Sequence, residues 1–448
     1  MAEGVGGVMA NWEKIKIGQF LFERKGKYKP GNEAIAGLGR INKIDFSGNF
    51  HIANKPSNTS MILIRPGDFV ISGIGVHNGS MGIYEGEEDV TATIHYSSYT
   101  FDEQKINAEY FKRFLKSPEF IRILQEQVRG GMRPEIKAKH LQPLEIHLPD
   151  IEEQKKIVSH FKNIETEDEE LKQEITHQQT LLKKLRQQIL QEAIEGKLTA
   201  DWRQQNPDVE SASELLKRIQ AEKAQLIKDK KIKKQKPLPP IREDEMPFEL
   251  PDGWEWCRLG GVAIINPRNF VNDNLEIGFT PMPLVSSKLF EHPKYELRKW
   301  GDVKKGFTHF ADADVVVAKI TPCFENSKAG IIQNFPNGIG AGTTELHVIR
   351  ILTVDINSHY VYFLLKTSGF LETGKRLMKG SVGQKRVPKD YIDNLLLPLP
   401  PLPEQKAIVA KVENLLTLCD QLQTQITANQ THANQLMQAV LKEAFSQN

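Results

Sequence analysis

The sequence predicts an α+β protein in which two similar globular domains are joined by two long antiparallel coiled-coil helices, with a pseudo-twofold internal repeat. Two observations predict this fold class. Residues 148–194 match residues 399–445 without a gap, at a constant offset of 251 residues. A match of this length indicates internal duplication. Short β-branched runs bounded by Gly and Pro precede each copy and predict strands in both globular parts.

The predicted organisation has five segments in chain order. They are a first globular domain (1–147), a first long coiled-coil helix (148–195), a linker with a short helix and a Lys- and Pro-rich segment (196–246), a second globular domain (247–398) and a second long coiled-coil helix (399–448). With 448 residues, the chain is long enough for each globular domain to bury its own core.

The two globular domains share an order of predicted elements. The first has strands at 60–64 and 68–72, a glycine-rich loop at 72–80, a helix at 108–128 and a short strand at 144–148. The second has strands at 315–320 and 344–349 and a helix at 360–378. Around Trp12 and Trp254 the domains also match in sequence. The offset between the domains drifts, so insertions distinguish them.

The linker contains two features that allow more than one interpretation. Ser211 and Glu214 are predicted to cap a short helix. The lysine-rich run at 228–236 could bind phosphates, but a solvated linker is the favoured interpretation. The proline-rich stretch at 237–240 predicts an extended connector.

Each long helix carries apolar residues at alternating steps of four and three. Asp150 with Glu153 resembles a capping box at the start of the first helix. The spacing is a heptad seam, which needs a partner helix. The helices could pack on separate domains, but equal lengths and matching seams favour packing on each other in antiparallel order. The seam residues are Ile157, Phe161, Ile164, Leu171, Ile175, Leu182, Leu185 and Ile189 in the first helix, and Ile408, Val412, Leu415, Leu422, Ile426, Leu436 and Val440 in the second.

Composition and net charge exclude few functions, but the cysteine content suggests a reducing cellular compartment. The net charge of +2 argues neither for nor against nucleic-acid binding. Cys257, Cys323 and Cys419 are far apart, which predicts no disulfide framework and no zinc site and fits a reducing cytoplasm. The sequence begins without a secretion signal and has no apolar run of membrane-spanning length.

Three motifs with a catalytic appearance are interpreted as structural. Residues 369–375 have the form G-x-x-x-x-G-K, but Arg376 replaces the Ser or Thr that a phosphate-binding loop needs. Residues 337–342 are glycine-rich without the strand and helix of a dinucleotide site. Residues 266–269 begin like an adenine-methyltransferase loop but lack its second proline and its aromatic residue. The sequence predicts no catalytic residue and no metal ligand.

Polar and basic residues in the loops of both domains are candidates for DNA contact. Arg and Lys can reach guanine, Asn and Gln can reach adenine, and all of them can bind phosphates. For any single one of them, an exposed loop side chain without a DNA contact is the favoured interpretation, and the group at 384–386 is the strongest candidate. The candidates are Arg40, Lys43, His77, Asn78 and Arg133 in the first domain, and Lys319, Asn326, Lys328, Gln384, Lys385 and Arg386 in the second.

The order of segments resembles one protein family over nearly the whole chain. Each globular domain is followed by a proline-led helix with the motif Glu153-Gln154-Lys155 or Glu404-Gln405-Lys406, and residues 198–203 read L-T-A-D-W-R. The chain resembles the specificity subunit of a Type I restriction–modification system. The resemblance implies two target-recognition domains, each reading one half of a bipartite, asymmetric site in double-stranded DNA.

The resemblance also implies partners and cofactors. The helices would space the two domains and dock two modification (methyltransferase) subunits. Those subunits would carry S-adenosylmethionine, and restriction subunits would add translocation and cleavage with ATP and magnesium, so that this chain needs no cofactor. The leading hypothesis is therefore a non-catalytic DNA-specificity subunit in the cytoplasm, without membrane contact. The alternatives are a two-headed coiled-coil scaffold that binds only proteins, and a methyltransferase or nuclease active in a single chain.

Overall fold

The computed structural model describes residues 12–45, 48–53, 58–74, 80–127, 137–381 and 383–445. The chain divides into two compact units, one formed by Met1–His177 with Ile426–Asn448 and the other by Gln178–Gln425. Each unit therefore combines one globular domain with one part of each long helix.

The described part of the first domain contains two four-stranded sheets and a separate strand pair. Strands β1 and β10 pair antiparallel, and the two sheets have the strand orders β2-β9-β6-β7 and β4-β3-β8-β5. The strands are β1 (Glu13–Lys16), β2 (Leu21–Glu23), β3 (Arg40–Ile44), β4 (Phe50–Ala53), β5 (Met61–Ile64), β6 (Phe69–Ser72), β7 (Met81–Ile83), β8 (Val90–Thr93), β9 (Tyr96–Phe101) and β10 (Glu145–Leu148). The helices of this segment are α1 (Ala108–Phe114), α2 (Pro118–Gln127), α3 (Ala138–Leu141) and the long α4 (Ile151–Ile194), with short 3-10 turns at Ile17–Gln19 and Glu33–Ile35.

The linker is partly helical. It contains a 3-10 turn at Lys197–Thr199, helices α5 (Ala200–Gln205) and α6 (Ala212–Lys228), and a 3-10 turn at Glu243–Glu245. The prediction that Ser211 caps α6 is wrong, because its side chain accepts no hydrogen bond from the helix backbone. The Ser211 hydroxyl lies 2.9 Å from the Ser213 hydroxyl, and this contact competes with capping.

The second domain repeats the first strand for strand. Its pair is β11 with β20, and its sheets have the orders β12-β19-β16-β17 and β14-β13-β18-β15. The strands are β11 (Glu255–Arg258), β12 (Ala263–Ile265), β13 (Glu276–Thr280), β14 (Glu296–Lys299), β15 (Thr308–Ala311), β16 (Val315–Ala318), β17 (Ala329–Ile331), β18 (Ile339–Gly342), β19 (Leu346–Ile351) and β20 (Leu396–Leu399). The helices are α7 (Leu259–Val262), α8 (Trp300–Val303), α9 (Ser358–Lys366), α10 (Ser368–Leu377), α11 (Lys389–Asp393) and the long α12 (Leu402–Phe445), with 3-10 turns at Met282–Leu284 and Pro336–Gly338.

The sequence predicted one helix at 108–128 and one at 360–378. In the structure each of these segments forms two helices, α1 with α2 and α9 with α10. The Ser117 hydroxyl accepts the N–H of Phe120 at 3.3 Å and ends the run before α2, where Pro118 takes the first position. The Thr367 hydroxyl caps α10 by accepting the N–H of Phe370 at 3.4 Å. Continuous apolar spacing concealed both breaks in the sequence, because the core faces of the successive helices are in phase.

The long helices pack antiparallel, as predicted. In the first unit, Phe445 at the end of α12 stacks on Phe161 near the start of α4, with ring centroids 5.7 Å apart. In the second unit, Arg186 in the later part of α4 pairs with Asp420 of α12 at 2.7 Å. In both contacts a later segment of one helix meets an earlier segment of the other.

Some residues that the heptad spacing assigned to the buried seam of the long helices are exposed. Most of the seam residues are buried or half-buried, but Leu171, Leu185, Leu422 and Leu436 are exposed. An α-helix has 3.6 residues per turn, so an apolar repeat of 3.5 drifts around a straight helix. The half-buried positions are consequently one residue later, at Lys172, Arg186, Gln423 and Met437.

Candidate nucleic-acid interface

The glutamine of the repeated Glu-Gln-Lys motif attaches α4 to the first domain. Gln154 is fully buried. Its Oε1 accepts the N–H of Asn107 at 2.7 Å, and its Nε2 donates to the carbonyls of Lys105 and Pro149 at 2.9 and 2.8 Å. Asn107 caps α1, so one side chain joins the long helix to the first helix of the globular domain.

The second copy makes the same three bonds. Gln405 Oε1 accepts the N–H of Asn357 at 2.8 Å, and Nε2 donates to the carbonyls of Asp355 and Pro400 at 3.3 and 3.0 Å. Asn357 caps α9. The repeated glutamine therefore joins each globular domain to the start of the long helix that follows it, which is a positioning role.

The glutamate of the motif has different surroundings in the two copies. Glu404 is buried and accepts hydrogen bonds from Thr199 Oγ1 at 2.6 Å, Trp254 Nε1 at 2.8 Å and Arg203. This explains the L-T-A-D-W-R segment, because two of its side chains fix the linker to the start of α12. Glu153, at the equivalent position of α4, has a side chain that is 40% exposed.

The structure places two of the five predicted DNA-contact residues of the first domain. Arg40 begins β3 and is half-buried, while Lys43 on the same strand is exposed. Lys43 lies opposite His51 of β4, so the two side chains lie on the same face of this sheet. His77, Asn78 and Arg133 lie outside the described residues.

In the second domain, four of the predicted residues come together. The segment at 384–386 runs beside 319–321: the N–H of Thr321 donates to the Lys385 carbonyl at 3.0 Å, and Ile320 bridges to Arg386. Lys319 is half-exposed, and Gln384 and Lys385 are exposed. Sequence separation of about 65 residues concealed this cluster, which only the sheet and the turn after α10 bring together.

Arg386 and the two remaining predicted residues of this domain differ in their contacts and exposure. Arg386 makes two hydrogen bonds of 2.8 Å to the Glu345 carboxylate, and this partner raises the pKa of the guanidinium and lowers that of the carboxyl. Arg386 therefore fixes the turn and presents Lys385 beside it. Lys328 donates to the Met282 carbonyl at 3.0 Å, which is a structural contact. Asn326 is exposed but is not brought into the bonded segment.

A cavity of about 940 Å³ beside the loop after β12 was not predicted. Its wall includes Arg268, Lys304, Lys305 and His309, and Phe270 at its rim is 92% exposed. The sequence carries only a partial signal for this site: an aromatic residue, Phe270, directly follows the segment 266–269, which begins like an adenine-methyltransferase loop.

A patch of exposed leucines lies on the helix pair of the second unit. Leu181, Leu185, Leu418 and Leu422 are 44–54% exposed. Leu185 and Leu422 each lie three residues after a buried residue, which is Leu182 in the first helix and Cys419 in the second. In an antiparallel pair, residues at equivalent heptad positions lie on the same side of the pair. These four exposed leucines are here called the leucine patch.

Within the described ranges, no group of three or more His, Cys, Asp or Glu side chains could hold a metal ion. None of the described helices is long and apolar enough to cross a membrane.

Comparison with known proteins defines the family. The model of the Type I restriction modification DNA specificity domain matches residues 9–178 and again residues 251–429. The duplicated domain, the paired helices and both family matches cover most of the chain. The chain belongs to the family of Type I restriction–modification specificity subunits.

Two curated relatives come from Escherichia coli. The specificity subunit of the Type I restriction enzyme EcoAI is 52% identical over 261 residues, which are 58% of this chain and 44% of the relative. The specificity subunit of EcoEI is 49% identical over 261 residues, 58% of this chain and 43% of the relative. The aligned part thus spans less than half the length of these relatives.

Solved structures agree in fold. A chain described under complex assembly and conformational transition of the type I R-M system has a TM-score of 0.64 and 15% identity, with 98% of each chain covered. The HsdS subunit from Thermoanaerobacter tengcongensis has a TM-score of 0.52 and 18% identity, with 99% of each chain covered.

Proposed function

We propose that this chain is the non-catalytic DNA sequence-specificity subunit of a Type I restriction–modification complex. Each target-recognition domain reads one half of a bipartite, asymmetric site in double-stranded DNA. The observation that carries the proposal is the strand-for-strand repetition of one domain, with different exposed side chains in each copy. Two copies of one scaffold with different surfaces suit two half-sites of different sequence.

Direct readout in the second domain centres on the turn at 384–386. Lys385 and Gln384 are exposed beside Lys319, and Arg386 is held by Glu345. Lys can bind guanine or phosphate, and Gln can make a paired contact with adenine. In the first domain, Lys43 and Arg40 take the corresponding role, together with His77, Asn78 and Arg133.

The long helices set the separation of the half-sites and dock the modification subunits. At 1.5 Å per residue, a helix of 44 residues is about 66 Å long. This length corresponds to about two turns of DNA at roughly 34–36 Å each. The leucine patch is the docking surface, because an apolar surface of this kind on a helix pair marks a protein contact.

The chemistry belongs to other subunits. Two modification subunits bind S-adenosylmethionine and methylate adenine, and restriction subunits use ATP and magnesium. The described residues of this chain contribute positioning groups such as Gln154 and Gln405. The complex acts in the cytoplasm, where the three free cysteines stay reduced.

A binding experiment tests the proposal. The full chain, with modification subunits, is titrated into a duplex that contains the methylated-adenine motif of the host genome, at fixed salt. Scrambling either half of the motif should weaken binding by at least about 10³-fold, the usual margin over non-specific binding. Equal affinity for all duplexes contradicts sequence reading. Stable binding to the subunits with no binding to any duplex supports the protein-only scaffold instead.

A further inference from the structure

The loop after β12 exposes the aromatic ring of Phe270 to solvent, between two residues whose side chains are fixed by contacts. Phe270 is 92% exposed. Asn269 before it is buried: its Nδ2 donates to the Phe310 carbonyl at 2.8 Å and its Oδ1 accepts from Arg350 at 2.9 Å. Val271 after it packs on a buried core cluster. Because both flanks are fixed, the loop presents the ring in a defined position.

His309, which lines the same cavity as Phe270, is fixed by several contacts. The His309 ring is buried, and its Nδ1 accepts the N–H of Asn269 at 3.2 Å. Its Nε2 lies 3.1 Å from the Lys304 carbonyl and 3.2 Å from Arg268 Nη1, which also donates to the Phe307 carbonyl at 3.0 Å. Burial, followed by the charge of Arg268, lowers the pKa of His309 and keeps the ring neutral. Trp300 packs edge-on against it at 4.6 Å.

The wall of the cavity is cationic. Arg268, Lys304 and Lys305 line it, with Asp273 as the acidic member of the lining. Lys304 pairs with Asp273 at 2.5 Å, which leaves the charges of Arg268 and Lys305 uncompensated by a lining carboxylate. An exposed aromatic ring beside cations is the combination used by proteins that insert an apolar side chain between base pairs and hold the flanking phosphates.

The corresponding loop of the first domain is built differently. There Arg24 follows β2 and binds the buried Asp68 through two hydrogen bonds of 2.7 and 2.6 Å. In the second domain the equivalent Asp314 is bound by Arg350 of β19. The arginine that binds the aspartate therefore comes from β19 in the second domain and not from the loop after β12, which instead exposes Phe270.

We infer that Phe270 inserts at a base-pair step of the half-site read by the second domain, while Arg268 and Lys305 bind the adjacent phosphates. The inference rests on the proposed function and adds recognition of DNA deformability to direct reading of bases. Steps that unstack easily should be favoured at this position. Charge complementarity between the cationic wall and the phosphate backbone identifies duplex DNA as the occupant.

The test uses the full chain in complex with its modification subunits. The duplex carries the host's methylated motif, with 2-aminopurine placed in turn at each step of the half-site and the neighbouring spacer. Wild type should raise the fluorescence at one step, and Phe270→Ala should abolish this rise. Because stacking of an aromatic side chain on a base is worth about 1–3 kcal/mol, affinity should fall about 5- to 150-fold. Phe270→Trp should restore both readouts.

Two further variants separate stacking from charge and from general exposure. Val354 is 93% exposed in the same domain outside the cavity, so Val354→Ala should leave both readouts unchanged. Lys305→Ala should lower the slope of log affinity against log salt by about one, whereas Phe270→Ala should leave this slope unchanged.

Three outcomes would overturn the inference. If wild type binds its motif but Phe270→Ala keeps full affinity and the fluorescence rise, the ring does not insert and the proposed function stands. If Phe270→Ala instead prevents assembly with the modification subunit, measured by size exclusion without DNA, the ring is a protein contact. If the wild-type complex binds no motif, the proposed function fails and the inference fails with it.

Discussion

At the scale of single residues, the duplication supplies its own controls. Equivalent positions in the two halves carry the same amino acid in different surroundings, so one substitution can be compared in two contexts. Glu404 is buried among Thr199, Trp254 and Arg203, whereas the side chain of Glu153 is 40% exposed.

Glu404→Gln should destabilise the second unit strongly. The change removes the charge that Arg203 faces in a site where the glutamate is 1% exposed. Breaking such a pair and its hydrogen bonds costs about 2–4 kcal/mol of unfolding free energy. Glu153→Gln is the matched control and should change stability by less than about 0.5 kcal/mol. Denaturant unfolding measures both, and equal effects would contradict the assigned role.

Lys366 predicts a pH dependence of stability. Its side chain is 2% exposed, and burial lowers its pKa to about 7. The unfolded chain keeps an ordinary lysine pKa of about 10.4, so it binds more protons than the folded chain between these values. This group therefore makes the protein more stable as pH rises from 7 towards 10.

Lys366→Met should flatten that dependence. The slope of unfolding free energy against pH should fall by up to about 1.4 kcal/mol per pH unit within this window. Lys375→Met, at a position where the lysine side chain is 66% exposed, is the control and should keep the slope. A slope unchanged by Lys366→Met would mean that the lysine titrates normally in the fold.

At the scale of elements, the sequence predicted the long helices, their order and most of their buried residues, but it also assigned four exposed leucines to the seam. Heptad counting assigned Leu185 and Leu422 to the seam, and they are exposed because a straight helix drifts against a 3.5-residue repeat. The two helix breaks, at Ser117 and Thr367, were missed because the apolar spacing typical of a helix continues across both capping residues.

The displaced leucines give the element-scale prediction. Leu185→Glu with Leu422→Glu should leave unfolding free energy nearly unchanged, because both side chains are about half-exposed. The same pair should weaken binding to the modification subunit at least tenfold by placing charges in an apolar contact. Calorimetric titration measures the affinity. Leu377→Glu, at another exposed leucine outside the patch, should bind normally, and equal loss in this control would contradict patch docking.

At the scale of the whole molecule, duplication was readable from the sequence because the helices match without gaps. The candidate interface was predictable only in part. Lys319 and Lys385 were identified by residue type, but their association depends on backbone pairing between distant segments. Phe270 was missed because its importance lies in the anchoring of its neighbours, which the sequence does not display.

Helix length should determine the spacing of the recognised site. Inserting one heptad at equivalent points of α4 and α12 adds about 10.5 Å to each helix and keeps the seam in phase. At 3.4 Å per base pair, the non-specific spacer should grow by about three base pairs. Four-residue insertions break the phase and should instead prevent methylation. Sequencing of methylated adenines reads the spacer, and an unchanged spacer would separate helix length from site spacing.

The most direct measurement of the central claim is the methylation motif of a domain-exchange variant. Residues 247–398 are replaced by the corresponding domain of a related specificity subunit with a different motif, and methylated adenines are mapped across the genome of cells that express the modification subunits. The account predicts that one half of the motif changes to that of the donor while the other half and the spacer stay the same. An unchanged motif, or a change in both halves, would contradict the assignment of one half-site to each domain.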